Sequence, residues 1–175
     1  MRVFTVSFFG HRQIDDILAI EKHLEALICE LLISHEYVEF LIGRDGEFDQ
    51  LAASAVRRCK RAVREDNSAL VLVLPYITAE YRDNVRSFHE YYDEIEICNE
   101  SAERHFKAAY QFRNRSMVDR SNVVVFCVEH ASGGAYQTMQ YARKTNTEII
   151  NLAVNASGSV NKATFVNQEK SNVEW

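Results

Sequence analysis

Three short segments of the chain combine glycine with charged or hydroxyl side chains. They are Gly10-His11-Arg12, Gly43-Arg44-Asp45-Gly46 and Ser132-Gly133-Gly134. Glycine lets a backbone approach a ligand closely, and the free N–H groups at a helix N-terminus favour anions because they carry partial positive charge. Arginine adds a guanidinium fork that binds phosphate bidentately. If the three segments meet in the fold, they form a cradle for a phosphate group.

The elements that flank these segments predict where the segments lie. Apolar runs at 3–9, 37–42 and 122–128 are typical of buried strands, and one glycine segment follows each run. Segments of helical spacing alternate with the strands, which predicts an α/β fold with a mainly parallel sheet and helices on both faces. In such sheets ligands bind outside the carboxyl ends of the strands, so we expect the three segments to meet.

Further elements complete the predicted sheet. The most hydrophobic run, 69–74, predicts a central strand, and 93–98 predicts a strand near an edge. Residues 101–118 predict one helix, which carries Arg113 near its end. Residues 79–92 predict a short helix or an ordered loop, and 148–154 predict the last strand.

Length and composition limit the class of protein. The 175 residues and 47% hydrophobic content predict one globular domain at 1–154, followed by a polar tail at 155–175. No apolar run could span a bilayer and the N-terminus lacks a secretory cleavage site, so we expect no membrane partner and a cytoplasmic location. Four widely spaced cysteines predict reduced thiols and no metal site. Because the net charge is −5, we do not expect nucleic acid as a partner.

Several candidate side chains have a purely structural alternative. His11 could titrate near neutrality, but a histidine beside a turn is more often a structural hydrogen-bonding group. Asp45 and Asp49 could accept hydrogen bonds from ribose hydroxyls, or each could cap the helix that follows. The glycines of 132–134 could form only a tight turn. The patterns G-x-G-x-x-G and G-x-x-x-x-G-K-[ST] are both absent from the sequence, which excludes a standard dinucleotide fingerprint and a Walker P-loop.

Four motifs, taken together, resemble a known family. They are FFGHR at 8–12, GRDGEFDQLA at 43–52, RNRSMVDRSN at 113–122 and SGGAYQT at 132–138. In this order they are similar to the YpsA-like branch of the SLOG superfamily, which unites Rossmann-like domains of the DNA-processing protein Smf/DprA and the Lonely Guy (LOG) phosphoribohydrolases. The resemblance spans residues 3–153. It implies a Rossmann-like three-layer sandwich with a nucleotide or nucleotide-derived ligand between the glycine turns.

The same resemblance bears on catalysis. LOG enzymes cleave the N-glycosidic bond of nucleoside monophosphates with an arginine, whose place Arg113 takes, and a glutamate just after the last glycine turn. The sequence after Gly134 is AYQT, so that glutamate is missing. An oxocarbenium-like transition state needs a carboxylate, for which Glu47 or Asp45 is the nearest substitute. We therefore expect a nucleotide-binding regulatory or sensor module. The alternative is a LOG-like N-glycosidase that uses Arg113 with Glu47 or Asp45.

The ligand-binding residues that we predict all lie in or beside these motifs. They are Gly10, His11, Arg12, Gly43, Arg44, Asp45, Gly46, Asp49, Arg113, Asn114, Ser132, Gly133, Gly134 and Thr138. We expect no cofactor at this site. An aromatic cluster could form the interface of a homo-oligomer, pack on the protein's own core or stack on a base. The sequence therefore leaves a homo-oligomer open. The cluster consists of Tyr81, Phe88, Tyr91 and Tyr92.

Overall fold

The computed structural model describes residues 1–102 and 104–153, without the side chains of residues 101 and 102. The strands are β1 (Val3–Gly10), β2 (Tyr37–Ile42), β3 (Ser68–Leu74), β4 (Glu94–Ile97), β5 (Val123–Cys127) and β6 (Glu148–Asn151). The helices are α1 (Ile17–Ser34), α2 (Glu47–Ala62), α3 (Ala79–Asp83), α4 (Val85–Tyr91), α5 (Asn99–Ala102), α6 (Phe106–Asp119) and α7 (Gly133–Lys144). The predicted tail at 155–175 and the end of the predicted last strand lie outside the described residues.

The six strands form one parallel sheet in the order β4-β3-β2-β1-β5-β6. The strand order reverses beside β1, because β2, β3 and β4 extend the sheet on one side of it and β5 and β6 on the other. The predicted central position of β3 is wrong, since β1 and β2 occupy the middle of the sheet. The hydrophobicity of β3 reflects helices on both of its faces, which an off-centre strand has as well.

Helices cover both faces of the sheet and bury two apolar layers. On one face, Leu24 of α1, Val56 of α2 and Phe88 of α4 pack against alternate side chains of the strands. On the other face, Met117 of α6 and Met139 of α7 pack against the remaining strand side chains. This arrangement confirms the predicted α/β fold, a Rossmann-like three-layer sandwich.

Two helical regions differ from the prediction. The helix predicted at 101–118 is divided into α5 and α6, and His105 between them has an extended backbone with ψ of 140°. Residues 101–105 (SAERH) offer no large apolar side chain to bury, so the packed face of α6 begins only at Ala109. Residues 79–92, for which the sequence predicts a short helix or an ordered loop, contain two short helices, α3 and α4.

The aromatic cluster packs on the protein's own core. Phe88 and Tyr92 are buried, and Tyr81 and Tyr91 are partly buried against the same apolar layer. Of the three alternatives for this cluster, packing on the protein's own core is therefore the one that describes its place in the fold. None of the helices in the described part of the chain combines the length and apolar character that a bilayer span requires.

Candidate functional site

A cavity of about 270 Å³ opens at the carboxyl ends of β1, β2 and β5. It lies beside β1, where the strand order reverses, which is the usual ligand position in open parallel sheets. The residues that line it come from all three glycine segments and from α6. They are Phe9, Gly10, His11, Arg12, Gly43, Asp45, Asp49, Tyr110, Arg113, Asn114, Gly133, Gly134 and Ala135.

The first turn of α7 forms one wall of the cavity, and its backbone is open. A Cβ atom added at Gly133 or Gly134 would meet no atom within 4 Å. Ser132 is the N-cap residue but its side chain makes no capping hydrogen bond, and the first turn carries no acidic residue. The N–H groups of Gly133, Gly134 and Ala135 have no intrahelical acceptor, because the first residues of any α-helix lack one. They can therefore donate to an anion in the cavity.

A buried arginine forms another part of the cavity wall. Arg113 on α6 is only 2% exposed. Its Nη1 donates to the carbonyl oxygen of Val73 at 2.6 Å, and its Nη2 donates to Oδ2 of Asp45. Its Nε is buried and has no partner among the described residues. The guanidinium group thus keeps one unsatisfied donor beside the cavity, which is costly unless a ligand or water accepts from it.

Asp49 joins this charged group from α2. Its Oδ2 accepts a hydrogen bond from the backbone N–H of Asp45 at 2.8 Å, so the carboxylate also holds the turn that begins α2. Burial and, to a lesser extent, the neighbouring Asp45 carboxylate together raise the pKa of Asp49 to about 7. The cavity therefore holds a carboxyl group that changes its charge near neutral pH, next to a second carboxylate that is 38% exposed.

The glycines of the β2–α2 loop are packed tightly, unlike those of α7. A Cβ at Gly43 would lie 2.8 Å from Arg113 Nη1, and a Cβ at Gly46 would lie 2.6 Å from the Cα of Arg12. The N–H of Glu47 donates to the carbonyl oxygen of Arg12 at 2.9 Å. Gly46 therefore lets the β1–α1 and β2–α2 loops touch, which brings the first two glycine segments together.

Five predicted residues do not line the cavity. Arg44 points the other way and binds Glu80 and the hydroxyl group of Tyr92. The carboxylate of Glu47 accepts from the N–H of Ile14 at 3.0 Å and so braces the β1–α1 loop. Gly46, Ser132 and Thr138 are likewise absent from the residues that line the cavity. Thr138 accepts from Asn114 Nδ2 at 3.1 Å and donates to the carbonyl oxygen of Gly134 at 2.8 Å, which ties α6 to the first turn of α7.

His11 is paired with a histidine that the sequence analysis did not consider. Its ring stacks on that of His130 with centroids 3.7 Å apart, and the N–H of His130 donates to His11 Nε2 at 3.4 Å. Burial lowers the pKa of His11, and the charge of His130 lowers it further. Neutral His11 can therefore accept the hydrogen bond from His130, as the structural alternative for this residue supposes.

Tyr110 is a cavity residue that the sequence analysis did not predict, as are Phe9 and Ala135. It lies three positions before Arg113 on α6, and the guanidinium carbon of Arg113 lies 5.4 Å from the centre of its ring. Burial raises the pKa of Tyr110 to about 12. The i, i+3 spacing within the helix was the available signal, because residues so spaced share a face. Among the described residues, no group of three or more His, Cys, Asp or Glu side chains is placed to hold a metal ion.

Comparisons with known proteins identify the fold. No protein-family model matches the chain, and no curated protein matches its sequence. The structure of DNA processing protein A from Helicobacter pylori, described for its single-stranded DNA binding mode, matches 90% of this chain with a TM-score of 0.62 and 18% identity. The X-ray structure of DNA processing protein A (DprA) from Streptococcus pneumoniae matches 88% with a TM-score of 0.63 and 13% identity. The chain spans 68% of the first protein and 52% of the second.

These neighbours correct one expectation. The exclusion of nucleic acid rested on the net charge of −5, yet a protein of the same fold binds single-stranded DNA. The expectation that nucleic acid is not a partner is therefore wrong. Net charge sums over the whole surface, whereas binding of a strand depends on the charge and shape of one region.

Proposed function

We propose that this protein binds a nucleotide or nucleotide derivative in the cavity, as a regulatory or sensor module of the YpsA-like branch of the SLOG superfamily. The observation that carries the proposal is the cavity that joins the open first turn of α7 to the buried guanidinium group of Arg113. The phosphate group binds the N–H groups of Gly133, Gly134 and Ala135, where the helix dipole favours negative charge.

The part of the cavity wall that Arg113 and Asp45 form suits the sugar of the ligand. The carboxylate of Asp45 is held by Arg113 through Oδ2 and faces the cavity with an exposed portion. A carboxylate only accepts hydrogen bonds, so it favours hydroxyl groups over a second phosphate. The ligand is thereby oriented with its phosphate at α7 and its hydroxyl groups at Asp45.

A thermal-shift screen tests the proposal. Mononucleotides, dinucleotides, ADP-ribose and cyclic dinucleotides are added to the purified protein, since a ligand that binds only the native state raises the melting temperature. Gly134→Val fills open space at the cavity wall, so it should abolish the shift while the protein still folds. Ala26→Val introduces the same side chain at an exposed helical position of α1 and should leave the shift intact. No shift with any ligand would contradict the proposal.

The N-glycosidase is a second candidate, which the paired carboxylates favour. Asp45 and Asp49 lie at the cavity with Arg113, and Asp49 has a pKa of about 7, so one carboxyl group can carry a proton while the other stays ionised. Glu47 is directed at the β1–α1 loop, so Asp45 is the better substitute for the missing glutamate. Incubation with nucleoside monophosphates tests this candidate: release of free base that Asp45→Asn abolishes would replace the sensor with an enzyme.

Binding of single-stranded DNA is a third candidate, favoured by the fold shared with DNA processing protein A. Fluorescence anisotropy of a labelled oligothymidylate, measured at two salt concentrations, tests it, because phosphate contacts weaken with salt. Binding that Gly134→Val weakens would place the strand at the cavity. Binding that this variant leaves unchanged would place it elsewhere.

A further inference from the structure

A group of large apolar side chains lies directly after β3 and in the first half of α6. It consists of Tyr76, Ile77, Phe106 and Tyr110, which we call the aromatic shelf. Tyr110 lines the cavity, and its ring meets that of Tyr76 edge-on with centroids 5.9 Å apart. Phe106 lies four positions before Tyr110 on α6, so the two side chains share one face of the helix.

The outer part of the shelf is exposed to a degree that core packing does not explain. Phe106 is 52% exposed and Ile77 is 59% exposed. By contrast, Phe88 in the aromatic cluster beside α2 is 5% exposed. Exposed apolar side chains are common singly, but Ile77 directly follows Tyr76 in the chain and Phe106 precedes Tyr110 by about one helical turn, so both belong to the segments that carry the two tyrosine rings.

The volume of the cavity indicates what covers the shelf. Small-molecule sites usually measure about 300–1,000 Å³, so the 270 Å³ cavity lies just below that range. A phosphate and a sugar fit between α7 and Asp45, while a nucleobase attached to the sugar must extend beyond them. Tyr110 lines the cavity and also belongs to the aromatic shelf, so it is the residue that the two share.

The chemistry of the shelf fits a nucleobase. Base–aromatic stacking needs a flat π-face and no specific hydrogen bond, and Tyr76, Tyr110 and Phe106 supply such faces. Asp45 and Asp49 also line the cavity and are suited to hydroxyl groups. Asp45 is bound by Arg113, whose guanidinium carbon lies 5.4 Å from the centre of the Tyr110 ring. The site thus offers polar groups for phosphate and sugar beside aromatic rings for a planar base.

We infer that the aromatic shelf stacks on the planar heteroaromatic base of the cavity's ligand, which makes the ligand a base-bearing nucleotide rather than a simple sugar phosphate. This inference rests on the proposed function, since it assumes that the phosphate lies at α7. It adds Phe106 and Tyr76 as binding residues that the sequence motifs do not include. It also assigns the base little hydrogen-bond readout, so purine and pyrimidine nucleotides both bind, with the larger ring favoured.

Calorimetric titration with AMP and with ribose 5-phosphate separates the contribution of the base. Stacking on an aromatic side chain is worth about 1–3 kcal/mol per base, which corresponds to roughly 5- to 150-fold in affinity. We expect AMP to bind the native protein at least about 5-fold more tightly than ribose 5-phosphate. Phe106→Ala should weaken AMP by about 5-fold and ribose 5-phosphate by less than about 2-fold. Ile33→Ala, which removes an exposed apolar side chain from α1, is the matched control and should change neither affinity.

The outcomes distinguish this inference from the proposed function. Equal affinities for AMP and ribose 5-phosphate would overturn the shelf and leave the phosphate site standing. Equal weakening of both ligands by Phe106→Ala would also overturn it, since a side chain that stacks on the base does not act on a ligand without one. Binding of neither ligand would contradict the proposed function and the inference with it. Circular dichroism of each variant verifies that it is folded.

Discussion

The two glycine loops that face each other across β1 use the same residue for different physical reasons. In the β2–α2 loop, Gly43 and Gly46 leave no room for a Cβ, because Arg113 and the backbone of Arg12 lie against them. In the loop before α7, Gly133 and Gly134 face open space. The first loop is closed by the protein itself, and the second leaves its backbone donors free.

This difference separates the glycines that tight packing requires from those whose backbone is open to the proposed ligand. The β2–α2 loop is filled by a network in which Arg113 bonds Asp45 and Val73 while Asp49 holds the turn. The α7 loop has no such filling, and its first turn offers N–H groups without a capping side chain. Substitutions in the first loop should therefore act on stability, and substitutions in the second should act on binding.

Loss of Arg113 gives the largest expected effect on stability. Arg113→Met removes a buried guanidinium group and leaves Asp45 and Asp49 facing each other, so the free energy of unfolding should fall by about 3 kcal/mol. This is the lower end of the range for buried pairs, because Asp45 is partly exposed. Urea denaturation measures the loss. Arg115→Met, at an exposed position of the same helix, should cost far less, and equal losses would refute the role of the network.

Gly46→Ala should be the next most damaging change. The added Cβ would lie 2.6 Å from the Cα of Arg12, and because that atom is backbone, the two loops must separate. We expect a loss of about 2–3 kcal/mol in the free energy of unfolding, the upper part of the usual range for overpacking. Chemical denaturation of Gly46→Ala and of Gly134→Ala, measured under the same conditions, tests this directly. If the two variants were equally stable, the distinction between a closed and an open loop would fail.

The pH dependence of stability should reveal the carboxyl group of the closed loop. The pKa of Asp49 is about 7 in the folded protein and near 3.8 when unfolded, so the folded state binds more protons between these values. Stability contributed by this group is therefore greatest below the unfolded pKa and is lost as pH rises through about 7, by about 2.6 kcal/mol between pH 5 and pH 8. Asp49→Asn should flatten this slope in denaturation curves. Asp15→Asn at an exposed site should not, and a slope unchanged in Asp49→Asn would disprove the assignment.

Substitutions at the two glycines of α7 should each have a smaller effect on stability than the changes above. Gly133 has a φ of +86°, so Gly133→Ala places an L-residue in a left-handed conformation and should cost about 1–2 kcal/mol. Gly134 has no positive φ, so Gly134→Ala should be neutral or stabilise the helix by up to about 1 kcal/mol. Thermal unfolding without ligand distinguishes them. A large loss in Gly134→Ala would mean that this turn is closed as well.

The sequence predicts the elements and the edge where the loops meet better than it predicts what each loop residue does. Alternation of apolar runs and helical segments is a local pattern, and it places 3–9, 37–42 and 122–128 correctly. The break before Phe106 was not predicted, because no proline or glycine in residues 101–118 marks an interruption of the helix.

The direction of loop side chains depends on contacts between distant segments. Arg44 and Asp45 are neighbours in the chain, yet one pairs with Glu80 outside the cavity and the other with Arg113 beside it. His130 pairs with His11 across 119 positions of sequence. Whether a glycine is closed or open likewise depends on what packs against it, so Gly46 and Gly134 look alike in the sequence.

Backbone amide shifts measure the difference between the two loops most directly. In an ¹H–¹⁵N titration with the nucleotide that gives the largest thermal shift, we expect saturable changes at the amides of Gly133, Gly134 and Ala135, because these N–H groups bind the phosphate. Gly46, which is packed against Arg12, should change little. Larger changes at Gly46 than at Gly134, or none at the first turn of α7, would contradict the account.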